Sequence, residues 1–179
     1  TTDSGGIATT SASTANGTAG VYNVDITVSG VPGSSAFTLT NYAVYVDPVN
    51  GNDGNTCITA LASCRTINAA ITKSSNGTTI YLSEGIHTST SSFVATINKN
   101  VVFIGGWSNS FTTQTGQTIL DGQNTRGGIR VNPGITTTLS NIIVQNGNTS
   151  LGAGVYNEGT LTLENTTLQK GYTDQGAGI

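Results

Sequence analysis

The sequence predicts an all-β protein in which a small antiparallel unit is followed by a parallel β-helix that a short helix caps. The first observation is composition: hydrophobic residues are 35% of the chain, charged residues only 8%, and there are 24 glycines. Stretches rich in Thr, Val and Ile, punctuated by Gly and Asn, favour strands and turns over long helices. The second observation is an internal repeat near the end of the chain.

The repeat has an offset of 24 residues, because residues 138–147 align with 162–171 and residues 152–155 align with 176–179. A period in the low twenties that contains three short strands is typical of one coil of a parallel β-helix. Like residues of stacked coils then form ladders along the axis. The predicted ladders place Asn141 over Asn165 and Leu139 over Leu163.

Residues 1–41 form the first predicted domain, an antiparallel unit of three strands at 7–13, 21–28 and 35–40. The stretches Thr-Asp-Ser-Gly-Gly-Ile-Ala, Thr-Ala-Gly-Val-Tyr-Asn-Val and Phe-Thr-Leu-Thr-Asn in this region resemble the last strands of a bacterial immunoglobulin-like repeat of the invasin/intimin type. The resemblance covers only the C-terminal half of such a repeat, so it implies a partial β-sandwich.

Residues 42–77 are a predicted connector with a strand at 43–47, a loop and a helix over 65–73 that Ser63 caps. Ile67, Ala70 and Ile71 share one face of this helix. A β-helix must cover its first coil, since a bare end exposes both core and strand edges. We therefore expect the helix to act as a lid.

Cys57 and Cys64 lie in the same connector. Two cysteines without a histidine nearby make a poor zinc site, because zinc takes four ligands. A disulfide that closes a short loop is favoured over two buried free thiols, and disulfides persist outside the cytosol.

A second resemblance covers residues 43–179. It rests on Tyr-Val-Asp at 45–47, Gly-Asn-Asp-Gly at 51–54, the two cysteines with the segment 64–71, and the stretches 102–107, 118–122 and 154–163. These are similar to pectate-lyase-like right-handed β-helix domains of bacterial surface proteins, a group that overlaps with polymorphic outer-membrane-type adhesin repeats. The resemblance implies right-handed coils over 78–179 and an extracellular or cell-surface location. It implies little about activity, since such folds serve lyases, hydrolases and non-catalytic adhesins alike.

Charge and hydropathy exclude two classes of function. The net charge is −3 with only six Lys and Arg residues, so no basic patch is available for nucleic acid. The longest apolar runs are about four or five residues, far short of the roughly 20 that a membrane-spanning helix needs. We expect no membrane insertion in this segment.

The candidate ligand sites are weak. Asp47 and Asp53 offer a calcium site together with loop carbonyls; the alternative is that they bind backbone amides in a Gly- and Asn-rich turn. We expect no other cofactor. Trp107 either packs at a coil corner, which is favoured, or stacks on a sugar.

We expect no catalytic residue. Asp121 with Arg126 and Arg130 is a candidate carboxylate–base pair, but a turn with solvated arginines is favoured. A glycosidase pair of carboxylates would come from different coils, whereas Glu158 and Glu164 fall in one predicted coil and the sequence does not place them across a sugar. The single histidine, His87, is expected in a surface turn.

The resulting functional hypothesis is a structural or adhesive extracellular surface protein rather than an enzyme. If the 179 residues are the mature chain, a filament could form by strand complementation or coil stacking. The expected partners are further copies of the chain, upstream immunoglobulin-like repeats or surface glycans. The alternatives are a carbohydrate-active enzyme, a polysaccharide lyase or hydrolase, with its site outside this segment, and a non-catalytic glycan-binding module.

Overall fold

The structure, a computed structural model, describes residues 20–27 and 34–173. The chain divides into two compact units, Thr1–Asn41 and Tyr42–Ile179. In the first, strands β1 (Gly20–Thr27) and β2 (Ser34–Asn41) pair in antiparallel register. The strand predicted at 7–13 lies outside the described residues.

The second unit is built mainly of short strands, which confirms the prediction of a predominantly β protein. Its elements are β3 (Ala43–Val46), a 3-10 turn (Ala60–Ala62), α1 (Ile67–Lys73), β4 (Thr79–Ser83), β5 (Gly85–His87), β6 (Phe93–Ile97), β7 (Val102–Trp107), β8 (Thr118–Asp121), β9 (Gly127–Val131), β10 (Thr136–Ser140), β11 (Ile142–Gln145), β12 (Val155–Asn157), β13 (Thr160–Glu164) and β14 (Thr167–Gln169).

The strands of this unit form three parallel sheets, and the chain visits them in turn. Sheet 1 has the order β13-β10-β7-β4-β3, sheet 2 the order β14-β11-β8-β5, and sheet 3 the order β12-β9-β6. Strands β4, β5 and β6 enter one sheet each, and the next three strands repeat the sequence. Each strand from β7 to β14 therefore pairs with the strand that entered the same sheet one circuit earlier.

The core is a set of apolar ladders that run across each sheet. In sheet 1 the paired residues are Val44, Ile80, Phe103, Leu139 and Leu163. The first four are at most 2% exposed, and burial of such a side chain contributes roughly 1.5–3 kcal/mol. Register is therefore strongly specified, because a slip of one residue would turn the apolar side chains outward.

Asparagine makes the tight turns between sheets 1 and 2. Asn141 separates β10 from β11 with φ 57°, and Asn165 follows β13 with φ 45°. Asn tolerates this left-handed conformation better than most residues. The predicted recurrence of Asn141 and Asn165 thus has a backbone cause.

An insertion in the connection between β7 and β8, residues 108–117, interrupts the repeat; the equivalent connection between β10 and β11 is the single residue Asn141. Phe103 and its partner Leu139 are 36 positions apart, whereas Leu139 and Leu163 are 24 apart. The register is kept although the spacing changes, which explains why the repeat is evident only near the end of the chain.

Helix α1 begins two residues later than predicted. Its N-cap is Thr66, whose side chain accepts a hydrogen bond from Ala69 N, so the assignment of Ser63 as the cap is wrong. Asp53 holds the backbone N–H groups of Arg65 and Thr66 in an extended segment before the helix. Ile67, Ala70 and Ile71 are buried, as the pattern predicted.

Strand β5 was not predicted from the sequence. His87, predicted in a surface turn, lies in this strand and is 1% exposed. The expectation was wrong because a single polar residue gives no periodic signal that would reveal its buried side.

Truncation of the sheet 1 ladder tests the stacked core. We expect Leu139→Ala to lower the free energy of unfolding by roughly 2–5 kcal/mol, because the side chain is removed from a packed site. Urea denaturation measures the loss. The control is Thr138→Ala on the opposite face of β10, with an expected change below about 1 kcal/mol; equal losses would contradict the assigned ladder.

Candidate binding groove and the N-terminal cap

The Cys57–Cys64 disulfide forms as predicted, with an Sγ–Sγ distance of 1.97 Å and both residues fully buried. Its loop binds the outer edge of β3. Tyr45 N donates to Cys57 O, Cys64 N donates to Tyr45 O, and Asp47 N donates to Cys64 O, all at 2.8 Å. The loop therefore occupies backbone groups that would otherwise form an open sheet edge.

Helix α1 covers the corresponding edge of sheet 3. Asn68 Oδ1 accepts a hydrogen bond of 2.9 Å from Thr96 N in β6. Lys73 Nζ donates to the carbonyls of Asp53 and Asn55, which ties the helix to the disulfide loop. We call residues 51–74, the disulfide loop with α1, the N-terminal cap.

Removal of the disulfide should loosen the cap. We expect the double variant Cys57→Ala/Cys64→Ala to lose about 2–3 kcal/mol in the free energy of unfolding, since the unfolded chain is no longer constrained. Urea denaturation with and without dithiothreitol measures this. Reductant should destabilise the native sequence and leave the variant unchanged; a wild-type midpoint insensitive to reductant would contradict the expectation.

The carboxylates of Asp47 and Asp53 both accept hydrogen bonds from backbone amides, Asp47 within its own turn and Asp53 from the segment before α1. Asp47 accepts from Val49 N at 2.8 Å and from Asn50 N at 2.9 Å. Asp53 accepts from Arg65 N at 2.9 Å and from Thr66 N at 2.8 Å. Both carboxylates thus match the amide-binding alternative, and no three His, Cys, Asp or Glu side chains of the described residues cluster as a metal site.

Trp107 belongs to an aromatic cluster on the outer surface of sheet 1. Its ring meets Tyr81 edge to face at a centroid distance of 5.2 Å, and Tyr81 lies 5.5 Å from Tyr45. The insertion brings Phe111 within 5.0 Å of Tyr45. These contacts fit the packing role, with the ring held between neighbours at the end of β7.

The carboxylate of Asp121 has partners other than arginine. Partial burial disfavours its charge, but hydrogen bonds from Gln123 N, Gln145 and Asn146 outweigh this and lower its pKa. Among the hydrogen bonds and ion pairs of the described residues, neither Arg126 nor Arg130 contacts it. The candidate carboxylate–base pair is not formed.

Arg130 instead pairs with Glu158, at 2.9 Å between Nη2 and Oε2. Its guanidinium carbon also lies 5.5 Å from the centroid of the Tyr156 ring. The two strands that carry Arg130 and Tyr156, β9 and β12, are neighbours in sheet 3. These contacts join successive strands and so stabilise the stack.

His87 is neutral at pH 7, because complete burial lowers its pKa to about 4. Its Nε2 lies 2.9 Å from Ser83 O and donates the hydrogen bond there. Within residues 20–27 and 34–173, its buried Nδ1 has no hydrogen-bond partner. Protonation of Nδ1 would therefore place an unpaired charge in the core.

Stability should depend on pH through His87. The folded pKa of about 4 is below the ordinary value of 6.5, so between these values the unfolded chain binds a proton that the folded chain does not. Stability therefore falls as pH drops from 6.5 toward 4, by up to about 3 kcal/mol. Urea denaturation at several pH values measures the slope. His87→Gln should have a shallower slope in this window; identical slopes would exclude His87 as the cause.

A groove of about 460 Å³ lies beside the cap. It is lined by Arg65 and Asn68 of the cap, by the loop 88–91, and by Gln123 and Arg126 of the turn after β8. We call it the cap groove. Its walls are mainly hydroxyl, amide and guanidinium groups, which makes it a candidate site for a polar ligand.

The arginines of the cap groove bind only neutral groups in the hydrogen bonds of the described residues. Arg65 Nε donates to Gly51 O at 3.1 Å, and Arg126 Nη1 donates to the Gln123 side-chain oxygen at 2.5 Å. These contacts orient both side chains and leave their positive charges uncompensated by a direct ion pair.

No local sequence pattern indicates the groove, since its residues come from three distant segments. On sequence grounds Arg126 is a candidate partner of Asp121 alone. A turn between two sheets brings it beside the cap, and no local pattern reveals such a contact.

The fold and the groove define a predominantly β protein with three parallel sheets that the chain visits in turn, a disulfide-bonded cap and a polar groove. Searches against protein-family models, curated proteins and solved structures found no match. None of the helices in the described residues is long and apolar enough to cross a membrane.

Proposed function

We propose that the chain is a segment of an extracellular structural or adhesive protein whose second unit is a right-handed parallel β-helix. The observation that carries the proposal is the return of successive strands to three parallel sheets with like residues in register. A stack of this kind extends along one axis by adding coils, and each coil is stabilised by its neighbours. Such a rod suits a structural or display role.

The outer faces of the stack support this role. Thr136 and Thr138 pair with Thr160 and Thr162. Gln169 donates from its side-chain amide to Gln145 Oε1 at 3.0 Å. Uncharged polar ladders cover the outside without the long charged side chains that most soluble surfaces carry, and their mutual hydrogen bonds stabilise successive coils.

The disulfide supports an extracellular location. Cys57 and Cys64 are fully buried and bonded within the cap, and bonds of this kind are retained in oxidising compartments. The cap would then close the first coil of the proposed β-helix under conditions in which the bond is stable.

Self-association remains part of the proposal, but the disulfide loop restricts one of its two modes, coil stacking. The disulfide loop already binds the outer edge of β3, so stacking of another copy's coil on that edge would require displacement of the loop. Strand complementation concerns β1 and β2, which belong to the other compact unit.

The redox state of the native protein tests the proposed location. Cells of the source organism are quenched in acid and dissolved in denaturant with iodoacetamide before any reduction, because Cys57 and Cys64 are buried in the folded protein. Peptides that contain the two cysteines are then analysed by mass spectrometry. We expect both cysteines to escape alkylation, because the bond is intact outside the cytosol. Alkylation of both in protein never exposed to reductant would contradict an extracellular location.

The control for this experiment is expression of the same chain in the cytosol, in which both cysteines should be alkylated.

A second candidate function, glycan binding, is favoured by the cap groove and its two arginines.

A further inference from the structure

Two tyrosines lie side by side on the outer surface of sheet 1. Tyr45 of β3 and Tyr81 of β4 are register partners in a parallel strand pair. Their ring centroids are 5.5 Å apart, and the ring planes are inclined at 43°. Register partners project from the same face of a sheet, so the fold itself brings the two rings together. Both side chains are half-buried, which holds them in place and leaves part of each ring at the surface.

The phenol groups of this pair also lie near each other. The pKa of Tyr45 is raised, first because burial disfavours the charged phenolate and second because a charge on Tyr81 would repel it. Such repulsion weakens with distance, so the two phenol oxygens are neighbours. The ring carbons next to each oxygen, the ortho carbons, therefore lie at the same end of the pair.

The chain offers an oxidant few sulfur groups. It contains no methionine, and its two cysteines are joined in the buried Cys57–Cys64 disulfide. Thiolates and thioethers are the usual sites of side-chain oxidation. Without them, the oxidation of this chain by one electron falls on the rings of tyrosine and tryptophan.

Trp107 connects the single tryptophan of the chain to the tyrosine pair. Its ring meets Tyr81 edge to face at a centroid distance of 5.2 Å. Rings in contact can exchange an electron, so a radical formed on Trp107 passes to Tyr81, whose phenol releases its proton. The three rings thus direct oxidation toward the contact between Tyr81 and Tyr45.

We propose that Tyr45 and Tyr81 form an oxidative coupling site, at which hydrogen peroxide and a haem peroxidase join the two rings by a carbon–carbon bond. Each phenol loses one electron and one proton, which gives a phenoxyl radical whose unpaired spin is shared with an ortho carbon. The two ortho carbons bond, and their hydrogens then move to the oxygens and restore both phenols. In sum the protein loses two hydrogen atoms, and one hydrogen peroxide is reduced to two water molecules.

The bond ties the edge strand β3 to β4 by a link that thiol reductants do not cleave. Residues 45 and 81 stand on either side of the N-terminal cap, so the link closes a loop that contains both α1 and the disulfide. Cross-links of this kind restrict the unfolded chain. The site depends on the register of β3 with β4, and it is independent of the proposed structural role and location.

Oxidation of the full chain by hydrogen peroxide and a haem peroxidase, followed by trypsin digestion and mass spectrometry, tests the site. Trypsin places Tyr45 in peptide 1–65 and Tyr81 in peptide 74–99, where it is the only tyrosine. We expect these two peptides to be linked, with a mass two hydrogen atoms below their sum, in protein that runs as a monomer on a denaturing gel. The yield per chain should not change on about tenfold dilution, because the reacting rings are already in contact.

Substitution identifies the reacting rings. Tyr45→Phe and Tyr81→Phe each remove one phenol and keep the ring, so the linked peptides should be absent from both variants. The matched control is Tyr156→Phe, since Tyr156 is also half-buried in a sheet but stacks on Phe93, at 6.5 Å. It should give the wild-type yield. If a variant shifts the urea midpoint, fragmentation of the linked wild-type peptides identifies the joined residues instead.

Three results would overturn the inference. One is the absence of the linked peptides from oxidised native protein. Another is their persistence in Tyr45→Phe, which would assign the bond to Tyr22 or Tyr42 of the same tryptic peptide. The last is the formation of linked dimers alone through Tyr42 and Tyr172, which are 64% and 59% exposed. That outcome would show that exposure, and not contact, selects the tyrosines.

Discussion

The interaction on which the second unit depends is parallel pairing between strands that lie a full circuit apart along the chain. Such pairing places the inward side chains of one strand directly against the inward side chains of the next strand in the sheet. In sheet 1 this aligns Ile80, Phe103 and Leu139, and the same rule operates in sheets 2 and 3 through Leu120 with Val144 and Ile129 with Val155. Because no single circuit of the chain can bury its apolar face alone, the stability of each circuit comes from its neighbours in the three sheets. The short strands and tight Asn turns are stable only in that context.

The same dependence leaves the edge strand β3 exposed, since it has a neighbouring strand on one side only in sheet 1. The disulfide loop satisfies the backbone of β3, and α1 packs on β3 and β6. The N-terminal cap therefore covers the edge of the stack, as a preceding strand in each sheet would do. It also creates the groove: the cap and the turns of later coils meet there, and two arginines from distant parts of the sequence become neighbours of one cavity. The structural element that ends the stack thus supplies half of the candidate site.

The sequence predicted those features that a local pattern encodes. The 24-residue repeat predicted the pairing of Leu139 with Leu163, which the register shows, and the apolar face of α1 was evident from its spacing. Features set by tertiary contact could not be predicted. The N-cap residue of α1 is Thr66 and not the predicted Ser63, because Asp53 holds the backbone before the helix. His87 is buried although its neighbours Ile86 and Thr88 line the surface groove, and the groove itself has no signature in any one segment.

The insertion at residues 108–117 shows how this architecture separates length from order. Ten residues connect β7 to β8 and only one connects β10 to β11, yet Ile104 still pairs with Ser140 and Ile119 with Ile143. Loop closure costs grow slowly with length, so a turn between sheets accepts extra residues without disturbing the ladders. A foreign epitope grafted into residues 108–117 would be displayed beside the aromatic cluster of sheet 1, because Phe111 of this segment contacts the ring of Tyr45.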